Sequence, residues 1–417
     1  MYSWERQDSP TVSSGHLRVY QLASLKAIDF GVTDLSIVGK FGYSTDISTE
    51  ALNDPRLRVV NLYLKYKVNK NNIFYLGRQR IYSGAVTVAY DGFRFSSKSI
   101  TNLNIEGYWG TNVPNDRGIE VLAVKENQVL GAKLSYRHFM GFNFSLSYSD
   151  IRRLPAAYTD FGRFTGKKLE RQATQERLLG ANLQRKFADK FNLYSRILLN
   201  YAAPVIGSGK PGFRHFQKFE LRGKYSHNAE ISFTTEYLIR RPRLNENSIF
   251  WVFNQRSFSE FGGKLHYRID PRISFYAGLS LVKYDKKLSF EGLEDSSLRL
   301  NAGMNMRGFS LFLSGRSGYA GESKSGGFSY AASLSKRNNV RAGVNYNRYK
   351  INSDADEDNN SKSAFIGITH RINSRIWGDF DIRFLSQDIT SQRDFFGYSS
   401  DVRFFARVNY SFRAKRN

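Results

Sequence analysis

The side chains best suited to bind a ligand in this chain are lysines and arginines that alternate with large apolar residues. The positions that share this pattern are Lys65, Lys67, Lys133, Arg137, Lys218, Arg222, Lys224, Arg383, Arg403 and Arg407. Successive side chains of a β-strand point to opposite faces, so we expect these cations on one face and the apolar residues on the other. A low-dielectric wall lined with cations would concentrate anions beside it.

The alternative for these cations is pairing with acidic residues of the same face. The acids placed to do so include Glu220, Glu236, Asp379 and Asp381. Both arrangements can coexist, since 62 basic residues against 37 acidic ones leave a net charge of +25. The sequence therefore predicts a cationic face that pairing neutralises only in part.

A second cluster combines Arg78, Gln79 and Arg80 with Asp91 and Arg94. We predict that the three arginines line a pore and form a constriction, with residues 83–90 folded inward. The alternative is an Arg–Asp ion pair that only fixes this loop. Alternation does not assign Arg78 to a face, because the apolar Leu76 has the same parity.

Two charged loops are further candidates. Residues 354–358 are acidic apart from Ala355, and oxygen ligands at this density can hold Ca²⁺, but the spacing is not that of an EF-hand. We interpret this segment as a solvated external loop. Residues 151–171 are rich in arginine and lysine, and they could contact lipopolysaccharide phosphates, contact an acidic partner or simply be mobile.

Enzyme chemistry has no support in the sequence. The 6 histidines are scattered, and neither H-E-x-x-H nor G-x-S-x-G occurs. Cysteine is absent, so disulfides, thiolate metal sites and covalently attached haem are excluded. We predict no catalytic site, no metal site and no cofactor.

The elements that carry the cations are strands with one apolar face. The C-terminal segment is the clearest, with apolar residues at every second position: Val402, Phe404, Ala406, Val408, Tyr410 and Phe412. An apolar face backed by a polar one, ending in aromatics, is what the closing strand of a transmembrane β-barrel needs. The pattern recurs along the chain, so we predict an all-β, antiparallel transmembrane barrel of about 20 strands (18–22), integral to a bacterial outer membrane.

The connections support this barrel because short and long ones alternate. Short ones occur at 188–190, 226–228, 270–272, 337–339 and 373–375, and longer ones separate them. We assign the short turns to the periplasm and the long loops to the exterior. The predicted organisation is a periplasmic segment at 1–14, the barrel at 15–412 and a tail at 413–417.

Composition agrees with a barrel and disfavours other classes. Tyr (25) and Phe (33) are abundant, as in aromatic girdles, while Pro (8) is rare, as a hydrogen-bonded sheet requires. The apolar runs are far shorter than the roughly 20 residues of a membrane-spanning helix. The cations are spread over many strands, which disfavours a nucleic-acid partner. The first residues lack the apolar core of a signal peptide, so we expect that a leader has been removed or replaced.

One segment carries a family resemblance. Leu76-Gly77-Arg78-Gln79, followed by Asp91-Gly92 and Arg94, resembles the alginate-export type of outer-membrane porin, in which a strand ending in L-G-R-Q precedes a D-G-x-R strand. The resemblance covers under a tenth of the chain. It implies a porin barrel and a basic lumen, without carrying over a polysaccharide-binding site.

Barrels of this size also resemble the sheaths of porin–cytochrome conduits, which would enclose a separate multihaem cytochrome. Our principal functional prediction is passive passage of hydrophilic, anionic solutes through a basic lumen. The sheath is the alternative. The predicted partners are outer-membrane lipid and lipopolysaccharide, the barrel-assembly machinery and, for the sheath, a periplasmic or multihaem cytochrome.

Overall fold

A computed structural model gives the fold of most of the chain. It describes residues 2–9, 12–29, 32–47, 55–114, 116–154, 174–201, 214–241, 257–285, 295–319, 321–350, 359–388 and 398–410. The predicted acidic loop at 354–358 lies outside these residues, as do Phe412, the tail at 413–417 and all of the basic loop beyond residue 154.

The described residues form one antiparallel sheet of 22 strands. The strands are β1 Tyr2–Ser9, β2 Val12–Ile28, β3 Leu35–Asp46, β4 Arg56–Lys67, β5 Asn72–Tyr82, β6 Thr87–Ser97, β7 Leu103–Asn112, β8 Gln128–Phe139, β9 Phe142–Arg153, β10 Thr174–Phe187, β11 Phe191–Tyr201, β12 Arg214–Ser226, β13 Ile231–Arg240, β14 Phe258–Asp270, β15 Ile273–Tyr284, β16 Ser296–Met306, β17 Phe309–Gly318, β18 Glu322–Ser333, β19 Asn338–Lys350, β20 Asn359–Arg371, β21 Ile376–Asp388 and β22 Tyr398–Tyr410. One helical turn, α1 at Val124–Asn127, precedes β8. No helix among the described residues is long and apolar enough to cross a membrane.

The first and last strands close the sheet into a ring. β1 pairs with β2 on one side and with β22 on the other, from Tyr2↔Phe405 to Arg6↔Asp401. Each described strand therefore has a hydrogen-bonded neighbour on both sides, so the described sheet has no free edge strand. The count of 22 is the upper end of the predicted range.

The predicted periplasmic segment at 1–14 is wrong. Tyr2–Ser9 is a strand of the wall, and β2 begins at Val12. The physical reason is closure: without β1, the edges of β2 and β22 would have no hydrogen-bonding partner. The segment has too few apolar residues for alternation to reveal it.

The two faces of the sheet differ in chemistry. Large apolar side chains on one face stay exposed, as Leu62, Leu64 and Tyr66 do on β4. An apolar surface of this extent is stable when it faces lipid. Between these residues, Tyr63 and Lys65 point to the other face, into the ring. Alternation thus gives a lipid-facing exterior and a polar interior.

Aromatic side chains cluster at the end of the barrel that carries the short turns. Phe142, Phe187 and Phe191 lie in a row across three strands, with ring centroids 6.4 and 5.9 Å apart. Phe309 lies 4.4 Å from Tyr330 at the same end. Aromatic girdles occupy the membrane–water interfaces of barrels. These aromatic side chains therefore mark the periplasmic interface.

The short turns lie beside these aromatic side chains. In the turn between β10 and β11, Ala188 and Asp189 take φ values of 44° and 56°, the backbone of a tight hairpin turn. A hydrogen bond from Lys186 lowers the pKa of the Asp189 carboxyl, which lies in the turn. Tight turns at this end place the longer connections at the extracellular end.

Candidate pore constriction

A row of three glycines bends the wall at β5, β6 and β7. Gly77 pairs with Gly92, and Gly92 pairs with Gly110. A Cβ atom on Gly92 would lie 2.1 Å from the carbonyl oxygen of Trp109, and one on Gly110 would lie 2.2 Å from that of Asp91. Gly77 has a φ of +119°, which side-chain-bearing residues rarely adopt. The three strands approach this closely only because the row lacks side chains.

Beyond this row, β5 and β6 leave the wall as a hairpin. The pairing of β4 with β5 ends at Leu62↔Arg78, whereas β5 and β6 remain paired as far as Tyr82↔Thr87. The connection from β7 to β8 takes the vacated place beside β4, where the Val59 amide donates to the carbonyl of Arg117 at 2.8 Å. Residues 79–90 therefore form a hairpin that is free to turn inward.

One face of this hairpin packs against the inner face of β7, β8 and β9. The buried cluster consists of Ile81, Val88, Tyr90, Tyr108, Val129 and Ile151, with Val86 against it. Val129 of β8 and Ile151 of β9 share a face with the serines of β9, and this face points into the ring. Apolar residues at these inward positions are shielded from the water of the lumen because the hairpin covers them.

The tip of the hairpin reaches further, to β10 and β11. After a contact between Ser83 Oγ and Ser149 Oγ of β9, 3.2 Å apart, the tip meets β11, where the Arg196 guanidinium donates to the carbonyl of Gly84. Ala85 packs against Leu178 and Leu198 in a second buried cluster. The hairpin thus spans the inner wall from its root at β5 to β11, and it narrows the lumen.

Arg78 fastens the root of the hairpin. Its Nε and Nη2 donate to the two carboxylate oxygens of Asp91, each at 2.8 Å, and its remaining bonds go to the carbonyls of Val59, Arg117, Gly118 and Glu120. Its side chain is only 4% exposed. The prediction that Arg78 lines the pore is wrong, and the alternative, an Arg–Asp pair that fixes the loop, is the observed arrangement. A bidentate pair with further carbonyl acceptors satisfies a guanidinium that burial would otherwise destabilise.

The opposite face of the hairpin looks into the lumen. Arg80 and Tyr82 lie on this face and are exposed. Lys133 of the inner wall places its Nζ 5.9 Å from the centre of the Tyr82 ring. Arg94, below the glycine row, pairs with Glu106 at 3.3 Å and stacks over Tyr75. The sequence predicts that Arg80 forms part of a constriction, and the structure exposes it to the water of the lumen.

Two solved structures share this fold, with TM-scores above 0.5 at low sequence identity. The siderophore receptor PirA from Pseudomonas aeruginosa superposes with a TM-score of 0.55 at 9% identity, over 99% of this chain and 80% of that chain. The copper transporter OprC gives 0.54 at 9% identity, with the same two shares of 99% and 80%. The outer membrane protein OprD from Pseudomonas aeruginosa gives 0.40 at 10% identity, over 98% and 93%.

The chain is an integral outer-membrane β-barrel. No protein-family model matches the sequence, and a search of curated proteins finds no significant match. The resemblance to alginate-export porins is therefore not confirmed at the level of that family. Four residues of the resembling segment form the root of the hairpin. Gly77 and Gly92 belong to the glycine row, and Arg78 and Asp91 form the ion pair.

Some of the predicted cations form ion pairs with acidic residues on the inner wall of the barrel. Glu220 lies between Lys218 at 2.7 Å and Arg222 at 3.0 Å, and Arg222 also reaches Glu236 at 3.2 Å. Arg403 pairs with Asp401. Arg383 stacks over the ring of Phe405 at 4.7 Å. The pairing alternative therefore holds for Lys218, Arg222 and Arg403, whereas Arg383 contacts an aromatic ring and, among the described residues, forms no ion pair with an acid.

Other predicted cations on the inward face have no such partner. Within the residues that the structure describes, no ion pair is formed by Lys65, Lys67, Lys133, Arg137, Lys224 or Arg407. Arg407 faces Asp379 in the strand register, but that carboxylate accepts from Thr369 and Asn409. The effect of these cations on ion selectivity stays a prediction.

Sequence reasoning missed several lumen residues. Arg341 binds Asp381 through two guanidinium nitrogens, with Nη2 2.6 Å from one carboxylate oxygen and Nε 3.0 Å from the other, and Arg196 holds the hairpin tip. Both alternate with apolar residues as the predicted cations do, so the same signal could have found them. Among the described residues, no group of three or more acidic or histidine side chains could hold a metal ion.

Proposed function

We propose that the barrel is a channel for hydrophilic, anionic solutes and that the inward-folded hairpin is its constriction. The observation that carries this proposal is the hairpin of residues 79–90, which packs across the inner wall from β7 to β11. A channel for selected solutes needs a narrow segment that the solute must pass in contact with the protein. The hairpin supplies such a segment, with Arg80 on the surface that faces the solute.

The charge of the inner wall supports anion selectivity. Cations outnumber acids on the inward face of the described strands. On β12 to β14, for example, the basic residues are Lys218, Arg222, Lys224, Arg240, Lys264 and Arg268, and the acids are Glu220, Glu236 and Glu260. Cations surrounded by a low-dielectric wall favour the entry of anions. Because they are distributed, each contact is weak enough for the solute to move on.

The cytochrome sheath is the weaker proposal. A sheath needs an open interior for its partner, whereas this hairpin occupies part of it. The resemblance of residues 76–94 to alginate-export porins makes an acidic oligosaccharide one solute worth testing, although the matching residues build the hairpin root and do not line the lumen.

The test is planar-bilayer conductance of the purified barrel and of a variant in which residues 80–89 are replaced by an Asn-Gly turn. We expect a higher single-channel conductance in the variant, and for the unmodified barrel a reversal potential in a KCl gradient that shows anion preference. An unchanged gel mobility of the folded barrel would serve as the folding control. Equal conductance of the two proteins would overturn the constriction, and cation preference would overturn the anionic solute.

A further inference from the structure

A basic depression lies on the inner wall near the periplasmic rim, away from the hairpin. It has a volume of about 580 Å³ and is formed by β12, β13 and β14 with the turn between β12 and β13. Its polar lining includes Lys224, Ser232, Thr234, Lys264, His266 and Arg268. A volume of this size suits a small ligand.

The strand register arranges these side chains in rows. Lys224 pairs with Thr234, and Thr234 pairs with Lys264, so two ammonium groups flank one hydroxyl on three neighbouring strands. Adjacent strands are about 4.8 Å apart, which places the two lysines on strands roughly 10 Å apart. The next row joins Ser232 to His266. Hydroxyl donors between two cations suit a solute with several anionic oxygen atoms.

The charges in this depression are not neutralised within the part of the chain that is described. No ion pair is formed there by Lys224, Lys264 or Arg268, although Lys264 lies 4.3 Å over the ring of Tyr276. The one carboxylate of the lining is Glu230, in the turn at the rim. Further along β12, by contrast, Lys218 and Arg222 both pair with Glu220, and Arg222 also pairs with Glu236.

We propose that this depression binds a small multivalent oxyanion, with inorganic phosphate as the simplest example, on the periplasmic side of the constriction. The proposal rests on the proposed function and names the class of solute. Lys224 and Lys264 would supply the charge, and Thr234 and Ser232 would donate hydrogen bonds. A site here would hold the anion after it has passed the hairpin.

The experiment adds inorganic phosphate to a single channel that conducts chloride. We expect a saturable decrease in current as the phosphate concentration rises. Lys264→Gln should weaken the apparent affinity about tenfold, the factor that corresponds to the loss of about 1.4 kcal/mol. The matched control is Lys67→Gln, which removes an unpaired inward lysine at the same end of the barrel, on β4.

The outcomes separate this inference from the proposed function. A barrel without anion preference overturns both. A barrel with anion preference but without saturable inhibition by phosphate overturns only the site. The site is also overturned if the Lys67 and Lys264 variants weaken inhibition equally, because the effect would then come from the overall charge of the lumen.

Discussion

The docking of the hairpin on the inner wall predicts that an engineered disulfide will form between them. The chain contains no cysteine, so two introduced cysteines have no other thiol with which to form a disulfide. A Cβ atom built on Gly180 would lie 3.2 Å from the Cβ of Ala85. Disulfides join Cβ atoms about 3.5–4.5 Å apart, so Ala85→Cys with Gly180→Cys needs only a small shift. The nearby Ser147 hydroxyl, 2.8 Å from the new Cβ, can rotate away.

The expected size of the effect follows from the length of chain that the bond encloses. Residues 85 and 180 are separated by roughly 95 positions, and closing a loop of that length removes denatured-state entropy worth about 4.7 kcal/mol at 25 °C. This is the upper value, since any strain in the folded state subtracts from it. We therefore expect the oxidised variant to unfold at a clearly higher denaturant concentration than the same protein after reduction.

The assay is gel mobility and intact mass of the purified variant with and without reductant, followed by denaturant unfolding. The control pairs Ala85→Cys with Ser325→Cys, which lies on the inward face of β18, remote from the hairpin tip. We expect the first pair to oxidise spontaneously and the control pair to stay reduced. If neither pair oxidises, or both oxidise equally, the hairpin does not rest on β10 and the constriction argument fails. Conductance should be the same before and after reduction, because the docked position is the native one.

Three substitutions, one of them with a matched control, test other parts of the same reasoning. Arg78→Ala leaves the Asp91 carboxylate buried without its partner, and we expect it to weaken the hairpin root by about 3–5 kcal/mol, seen as brief openings of higher conductance in single-channel records. Gly92→Ala should prevent assembly of the folded barrel, judged by gel mobility, because its methyl group would lie 2.1 Å from a backbone oxygen; Gly107→Ala, with no atom within 4 Å, should fold normally. Glu220→Gln should free Lys218, leave Arg222 paired only with Glu236 and shift the reversal potential toward stronger anion preference; an unchanged potential would mean that this part of the wall does not set selectivity.

Alternation along single strands was enough to predict the barrel. In β22, the outward residues Phe404 and Val408 are exposed and apolar, while Arg403 and Arg407 lie on the other face. This signal is local and strong because lipid and water contact opposite faces of each strand. It extends to the short periplasmic turns, such as the one at 188–190, where the backbone must reverse within a few residues.

Pairing between distant parts of the chain could not be predicted in the same way. β1 is held by residues some four hundred positions away, through Tyr2↔Phe405, and its own sequence has no clear apolar face. Whether Arg341 is neutralised depends on Asp381, 40 positions further along the chain and on a different strand. These contacts depend on how the strands pair in the sheet, and the sequence of a single strand does not show that pairing.

The hairpin shows where the rule of alternation stops applying. Leu76 and Arg78 have the same parity, so a continuous wall would point both toward lipid. The bend at Gly77 takes β5 out of the wall between them, and the side that faced lipid then faces the lumen and the connection at 117–120. A buried, fully hydrogen-bonded arginine is stable at such a junction, whereas the same residue on the lipid face would be costly. The glycine row therefore decides which residues line the pore, and the pattern of apolar residues cannot be interpreted beyond it without that backbone feature.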